Sequence, residues 1–429
     1  MTRLLAVADS DSYLKWAAGL LDALPEDWTT DLVVVRTPIT PSAAQIAAAV
    51  SGTRAGAAGR ELPAVLPARQ LRRTAERFRP DVVLLACTGP VVDALAAETL
   101  AGLRPRPVLV SGLPGISVPA TEKAWLFRSG CDLFVVHSGR EVAEFSAIGR
   151  ELGGGGAVAL ARLPYLDLGA GLGTETSKGT SKGTSKGTST GAGTGTGGGV
   201  RDRVVFATQA KVPRRREERE DVLLALAALA RARPDLDVVV KLRARDDERQ
   251  THNERHHYER LWNALADEGR VDRDLVRFAA GPMHEHLSRA AGFVTVSSTA
   301  ALEAIAGHVP LLVLSDFGVS AEMINLVFEG SGCLGTLDDL AKADFRTPDA
   351  EWCRANYFHD ASATDWAGRV TALVAAARAG TLEPARSLLD GPEHAAARRR
   401  ARLRLEVPPK VLRYGYRAKR RMRRYLKAL

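Results

Sequence analysis

The sequence predicts an α/β protein built from two doubly wound domains with parallel sheets. Three observations carry that expectation. Short runs of Val, Leu and Ala alternate with amphipathic stretches along both halves of the 429 residues. These runs are apolar at nearly every position rather than at every second one, which suits strands covered on both faces. The alternation stops over 169–200 and then restarts.

In the first half the strand-like runs are RLLAVA (3–8), DLVVVR (31–36), DVVLLA (81–86), PVLVSG (107–112) and DLFVVH (132–137). Amphipathic stretches at 12–23, 67–79, 90–102 and 139–150 fall between them and read as helices. Three copies of TSKG (176–187) then pass into GTSTGAGTGTGGG, a low-complexity linker with nothing to bury. Beyond it come strands at 203–208, 237–242, 275–280, 293–298 and 310–315. Helices are expected at 215–233, 253–268, 282–291, 299–307 and 320–329, with more at 348–357 and 362–379. The expected domains are 1–168, the linker 169–200, 201–380, and a C-terminal helical segment 381–429 with a basic tail. Two such halves imply domains facing each other across a cleft, with ligands at the carboxyl ends of the strands.

Composition narrows the class of protein. At 45% hydrophobic and 25% charged, the chain has the balance of a globular protein. The net charge of +9 is concentrated in one place. From Arg398 to Leu429 fourteen Lys or Arg stand against one acid, Glu406, so the rest of the chain is mildly acidic. The four cysteines (Cys87, Cys131, Cys333, Cys353) form no C-x-x-C pair, which speaks against a zinc ribbon or disulfide framework and suits a reducing cytosol. The apolar run at the N-terminus is too short for a signal peptide, and no stretch approaches the roughly 18 apolar residues of a membrane span. The expectation is a cytoplasmic protein, with contact to the inner face of the cell membrane left open.

The strand ends hold the chemistry. VTVSSTAALEAIAGHVPLLVLSDFGV (294–319) places Ser297, Ser298 and Thr299 where a strand passes into a helix. One N-cap needs one hydroxyl, and here there are three; a helix start with spare hydroxyls and amides suits a phosphate. Glu303 is out of register for a capping box, because the third residue after Ser298 or Thr299 is Ala301 or Leu302. An acid in an otherwise apolar helix needs a partner such as a ribose hydroxyl or a cation. Lys241 and Arg243 end the neighbouring strand and would meet the same phosphates, unless they are plain surface charge. Asp316-Phe317-Gly318 lacks the other kinase elements and reads as a strand-end turn, with Asp316 still able to point at a ligand. His252 and His256 stand four apart, but H-E-x-x-H is not satisfied and no metal site is expected. His284 is a weaker cleft candidate.

In the first half, RLLAVA ends in Asp9-Ser10-Asp11, and carboxylates there suit general-base work, Asp11 first, with helix capping the plain alternative for one of them. The Gly/Pro-rich turn SGLPGISVPATEK (111–123) reads as an active-site loop bringing Glu122 as a second base candidate. Asp9 and His137, at strand ends, are acceptor or cleft candidates. In the tail, Val411, Tyr414, Ala418, Met422, Tyr425, Leu426 and Leu429 share one helical face among Arg and Lys. Such a basic amphipathic helix lies on an anionic membrane, docks on the first domain, or binds RNA without sequence preference.

Two such halves, the basic strand end Lys241–Arg245 and the segment VSST-A-LEA-x-A-x-x-x-P-LLVLSDFGV together resemble a GT-B glycosyltransferase with two Rossmann-like domains. They are similar to an actinobacterial group of glycosyltransferases that resembles the capsule-polysaccharide, Kdo and sialic acid transferases. The most specific piece runs from Glu303 to Pro310, with its Gly307 one place early; the His-Pro pair common in sialic acid transferases is absent. The resemblance implies that the second domain binds the nucleotide sugar. Ser297, Ser298 and Thr299 would hold the phosphate, and Glu303 the ribose. It further implies a metal-independent reaction with no cofactor, an acid–base residue from an N-terminal acceptor domain, and a glycan or lipid-linked acceptor of the cell envelope. Two other classes fit the same fold: a nucleotide-sugar 2-epimerase, which needs no acceptor, and a non-catalytic nucleotide-sugar- or RNA-binding protein.

Overall fold

The computed structural model describes residues 1–164, 166, 201–243, 254–281 and 283–407. The linker 169–200, His252 and the amphipathic stretch 411–429 lie outside these residues. The contacts divide the described residues into two units, the first comprising 1–164 and 350–407 and the second 166, 201–243, 254–281 and 283–349. Both are doubly wound and Rossmann-like, as expected.

The first unit holds β1 (Arg3–Ala8), β2 (Thr29–Val35), β3 (Val65–Leu66), β4 (Val82–Ala86), β5 (Val108–Gly112), β6 (Leu133–Val136) and β7 (Ala157–Leu160). They form one sheet in the order β3-β2-β1-β4-β5-β6-β7, every pair parallel. Its helices are α1 (Asp11–Asp22), α2 (Ala43–Val50), α3 (Ala68–Phe78), α4 (Gly89–Ala94), α5 (Glu122–Leu126) and α6 (Gly139–Leu152). The continuous apolar strands have the physical reason assigned to them. Leu4, Ala6 and Ala8 enter one core cluster with α1, while Leu5 and Val7 enter another with α3 and α4. A strand buried on both faces has no use for alternation. Local signals set the helix ends: Ser42 and Gln45 form a reciprocal capping box on α2, and Ser138 accepts the Glu141 N–H at the start of α6.

The second unit holds β8 (Arg203–Ala207), β9 (Asp237–Lys241), β10 (Arg277–Ala279), β11 (Ala290–Thr295), β12 (Leu311–Leu314) and β13 (Leu334–Gly335). Their order is β10-β9-β8-β11-β12-β13, again all parallel. Its helices are α7 (Arg216–Ala232), α8 (Tyr258–Asp267), α9 (Met283–Leu287), α10 (Ala300–Ala306) and α11 (Leu337–Ala341). Two elements differ from expectation. The helix of 282–291 is only α9, because Ala290 already begins β11, and 320–329 holds one 3-10 turn, Leu326–Phe328.

The rest of the chain departs from the expected boundary at 380. Helices α12 (Ala350–Ala355), α13 (Trp366–Arg378) and α14 (Ala395–Glu406) belong to the first unit. The cause is burial: Trp366, Val370 and Val374 of α13 complete the core cluster of α1 and β1. Ala401 and Leu405 of α14 join the cluster of α3 and α4. Burying Leu405 alone contributes about 1.5–3 kcal/mol. Leucine spacing locates such a helix, but nothing in a linear pattern names the sheet it covers.

Candidate functional site

A doubly wound sheet opens a crevice where successive connections leave in opposite directions, at the carboxyl ends of the two strands flanking that point. In the first unit those strands are β1 and β4; in the second they are β8 and β11.

At the first crevice β1 runs into Asp9 and β4 into Thr88. Asp9 is fully buried; its Oδ2 accepts the Thr88 N–H at 2.9 Å and the Thr88 hydroxyl at 2.6 Å. Its Oδ1 is buried without a hydrogen-bond partner. Burial raises the Asp9 carboxyl above its ordinary pKa, and the two Thr88 bonds pull it part of the way back. Ser10 stands close enough to favour the charged form, though outside hydrogen-bond geometry to Oδ1. Arg128, 4% exposed, adds a positive field from nearby. Its guanidinium donates to the carbonyls of Gly112 (3.0 Å), Ala124 (3.2 Å) and Cys87 (3.2 Å) and to the Tyr13 hydroxyl (2.7 Å). A buried carboxylate with one oxygen left without a protein donor has the chemistry to accept a hydrogen bond from a ligand.

The other first-unit candidates lie elsewhere. Asp11 is exposed at the first position of α1, and Glu122 is exposed at the first position of α5; both favour the helix starts they occupy. His137, expected in the cleft, is instead wholly buried. Its Nδ1 lies 2.8 Å from the Ala161 carbonyl, and its Nε2 lies 2.7 Å from the Trp16 indole nitrogen and 2.9 Å from the Leu113 carbonyl. The neutral tautomer with its proton on Nδ1 donates to Ala161 and accepts the Trp16 N–H. Burial pushes the His137 pKa down to about 4, so the ring stays neutral. Beside it Glu141, also buried, accepts the backbone N–H groups of His137 (2.8 Å) and Ser117 (2.7 Å) and the Tyr357 hydroxyl (2.6 Å). Glu144 takes the Ala120 N–H at 2.8 Å. These two acids hold the 111–123 loop.

The second crevice is organised by Thr295, the last residue of β11. Its hydroxyl donates to the Ala207 carbonyl (3.2 Å) and accepts from Gln209 Nε2 (3.0 Å) and the Ser298 N–H (3.1 Å). Gln209 Oε1 is buried without a partner, an acceptor facing nothing of the protein. Ser297, Ser298 and Thr299 follow, all half-buried. Ser298 Oγ accepts the Ala300 N–H at 3.2 Å, while the Thr299 side chain makes no capping bond. One hydroxyl of the three is thus used for capping, and Glu303 sits half-buried on α10 one turn further on. Contrary to expectation, the strand that Lys241 ends does not neighbour the strand of the serine turn: β8 lies between β9 and β11, Lys241 is in register with Ala207 of β8, and its carbonyl accepts from the Thr208 N–H and hydroxyl. Arg243 is exposed two residues on.

Two second-unit candidates are corrected. Asp316 Oδ2 accepts the Leu337 N–H at 3.0 Å, so it holds the start of α11 from an exposed position. His284 is exposed on α9, whereas its neighbour His286 is buried, lies close enough to Lys241 to feel its charge, and has its pKa lowered mainly by burial. Sequence reasoning also missed Thr88, Arg128, Gln209 and Thr295. Thr88, Gln209 and Thr295 stand at or just beyond strand ends and were open to the same rule that selected Ser297. Arg128 carries no such signal, since it lies in the turn after α5, away from any strand end. Among the described residues no three His, Cys, Asp or Glu side chains are placed to hold a metal ion.

Residues 4–373 match the family model described as "Putative glycosyltransferase (DUF6716)". No curated protein matches the chain. Among solved structures it is similar to the MnaA–UDP complex of S. aureus, at 12% identity and a TM-score of 0.51 over 89% of this chain and 98% of that one. It is also similar to a UDP-N-acetylglucosamine 2-epimerase, at 14% identity and a TM-score of 0.52 over 89% and 98%. The lipopolysaccharide outer core galactosyltransferase WaaB aligns at 11% identity and a TM-score of 0.41 over 89% and 100%. At such identities the first two likenesses are of fold.

Proposed function

The chain belongs to that glycosyltransferase family, and from this premise we propose that it moves a sugar from a nucleotide-sugar donor to a cell-envelope or polysaccharide acceptor without a metal ion. The observation that carries the donor site is the second crevice, where Gln209, Thr295 and the Ser297–Thr299 turn meet at the point between β8 and β11. The hydroxyls of Ser297 and Thr299 receive the donor phosphates, and Lys241 and Arg243 supply positive charge from the end of β9, on the far side of β8. Gln209 Oε1 reads an N–H of the nucleotide, and Glu303 takes a ribose hydroxyl. In the first unit Asp9 is the preferred general base over Asp11 and Glu122. Burial raises its proton affinity and Thr88 aims its carboxylate, while the other two stand in water.

In the reaction Asp9 accepts the acceptor hydroxyl proton as that oxygen bonds to the anomeric carbon. The bond from the anomeric carbon to the donor phosphate breaks, and the nucleotide leaves with the electron pair. The second crevice stabilises the charge that develops on the departing phosphate. A uridine diphosphate sugar is the first donor to test, because the S. aureus relative was solved with UDP. The fold likeness to a 2-epimerase supports a second reading, interconversion of a UDP-sugar with no acceptor.

A thermal-shift screen of CMP-, UDP-, GDP- and TDP-sugars on wild type and Ser298→Ala tests the donor site. The expected result is one nucleotide class stabilising the wild type and stabilising the variant less. If no nucleotide sugar raises the wild-type Tm, the donor assignment falls. With the hit in D2O, deuterium incorporation at the sugar C2 without acceptor would decide for the epimerase.

A further inference from the structure

We propose that α3 and α14 of the first unit together form a docking surface for an anionic phospholipid bilayer. This does not depend on the reaction assigned above. Helix α3 buries Leu71 and Ala75 and exposes Arg69, Arg73 and Arg77. Helix α14 buries Ala401 and Leu405 in the same cluster and exposes Arg399 and Arg400. The two helices lie side by side: Arg69 and Arg72 of α3 and Arg402 of α14 line one cavity of about 210 Å³, together with Glu98 and Glu406.

The carboxylates on this side are already committed. Glu76 pairs with Arg72 at 3.0 Å, and Glu98 and Glu406 pair with Arg402 at 3.3 and 2.8 Å. Asp93 receives Arg398 through two bonds, of 2.9 and 2.8 Å, which pin α14 in place. Among the described residues Arg69, Arg73, Arg77, Arg399 and Arg400 therefore have no carboxylate partner. A surface with that surplus attracts a polyanion.

Bilayer rather than nucleic acid is favoured by Leu403, 45% exposed on the arginine-rich face of α14. An exposed leucine on a helix that also exposes Arg399 and Arg400 suits the headgroup boundary, where the leucine enters the acyl region and the arginines stay with the phosphates. The sequence beyond α14 continues in the same vein. From 408 to 429 it carries nine Lys or Arg and no acid, interleaved with Val411, Tyr414, Met422, Tyr425 and Leu426. The two folded helices carry the same combination of exposed arginines and an exposed leucine on the first unit itself.

The test is co-sedimentation of the full chain with phosphatidylglycerol-rich and with pure phosphatidylcholine vesicles. Wild type and the triple variant Arg69→Gln/Arg73→Gln/Arg77→Gln are compared. Each arginine near an anionic surface contributes about fivefold in affinity, so the triple variant is expected to bind phosphatidylglycerol vesicles about a hundredfold more weakly. Its Tm should match the wild type, since all three side chains are exposed and unpaired, and added salt should weaken wild-type binding. Arg399→Gln/Arg400→Gln provides an independent variant on the second helix, with about a 25-fold loss expected. Wild-type affinity in both variants overturns the proposal, as does equal binding to phosphatidylcholine. Binding to a double-stranded RNA fragment with no binding to phosphatidylglycerol vesicles overturns it too.

Discussion

Replacing Arg219 with alanine probes how the second crevice is held together. The Arg219 side chain is 2% exposed and that of its partner Glu254 is 4% exposed. The guanidinium donates to Glu254 at 2.6 Å and to the carbonyls of Pro213 (2.9 Å), Ala210 (3.0 Å) and Gln209 (3.1 Å), and also to that of His256. It further stacks over the Tyr258 ring, 4.8 Å from the centroid. Truncation strands a buried carboxylate and leaves four carbonyls without this donor. Removing one member of a buried ion pair costs about 3–5 kcal/mol, against about 0.2–1 kcal/mol for an exposed pair. For a unit of this size each kcal/mol lowers Tm by about 2–4 °C, so Arg219→Ala should lose about 6–20 °C. Differential scanning calorimetry on the full chain, following the transition of the second unit, measures this. Arg219→Met combined with Glu254→Gln should recover part of the loss, because it removes the stranded charge. The segment 209–213 hangs on Arg219, so the nucleotide-sugar thermal shift should shrink as well. A Tm loss below about 3 °C would refute the reasoning, since it would make the pair worth no more than a surface contact.

Two further outcomes are expected. Asp9→Asn should lower transfer activity about 10²–10⁴-fold, the usual contribution of a general base, and should also change the pH dependence of stability. Burial raises the folded-state pKa of Asp9. Its contribution is therefore fully present below the unfolded carboxyl pKa and is lost as pH rises through the folded value. The variant should gain Tm over wild type at pH 7 to 8 and lose that advantage near pH 4; an equal gain at both, or retained activity, counts against the assignment. His137 titrates in the opposite sense, with its folded pKa depressed to about 4 from 6.5. Stability from its neutral form is present above pH 6.5 and drains away as pH falls toward 4, by roughly 3 kcal/mol if the shift is complete. A His137→Gln chain should show a flatter acid limb in urea-melt midpoints over that window, and an unchanged limb would mean that the imidazole finds a partner for its charge.

The strands were legible because burial on both faces leaves an unmistakable mark. DVVLLA and DVVVKL contain no alternation, and both turned out to be interior strands of parallel sheets. The two-residue strands β3 and β13 left no such mark, being too short for any period. The hydroxyl-rich turn at Ser297–Thr299 was legible for a chemical reason, because its count of hydroxyls exceeded what one cap uses. His137 misled for the converse reason: a histidine at a strand end looks the same whether it faces a crevice or a tryptophan. Asp316 misled likewise, since its partner Leu337 is the start of a helix 21 residues away.

By itself the sequence determined two parallel α/β units, the position of the low-complexity stretch between them, and the strand ends where ligand chemistry belongs. Those properties are local: they follow from side-chain period and from the residue types at a corner. Only the tertiary structure decided that 350–407 returns to the first unit, that Asp9 rather than Asp11 is the buried carboxylate, and that Gln209 and Thr295 meet beside the serine turn. Those properties depend on which elements pack together. The carboxylate one residue beyond the end of β1 is buried beneath its neighbours, while the one two residues further along stands in water. Nothing in the linear pattern distinguishes them until the helices and the neighbouring strand are in place.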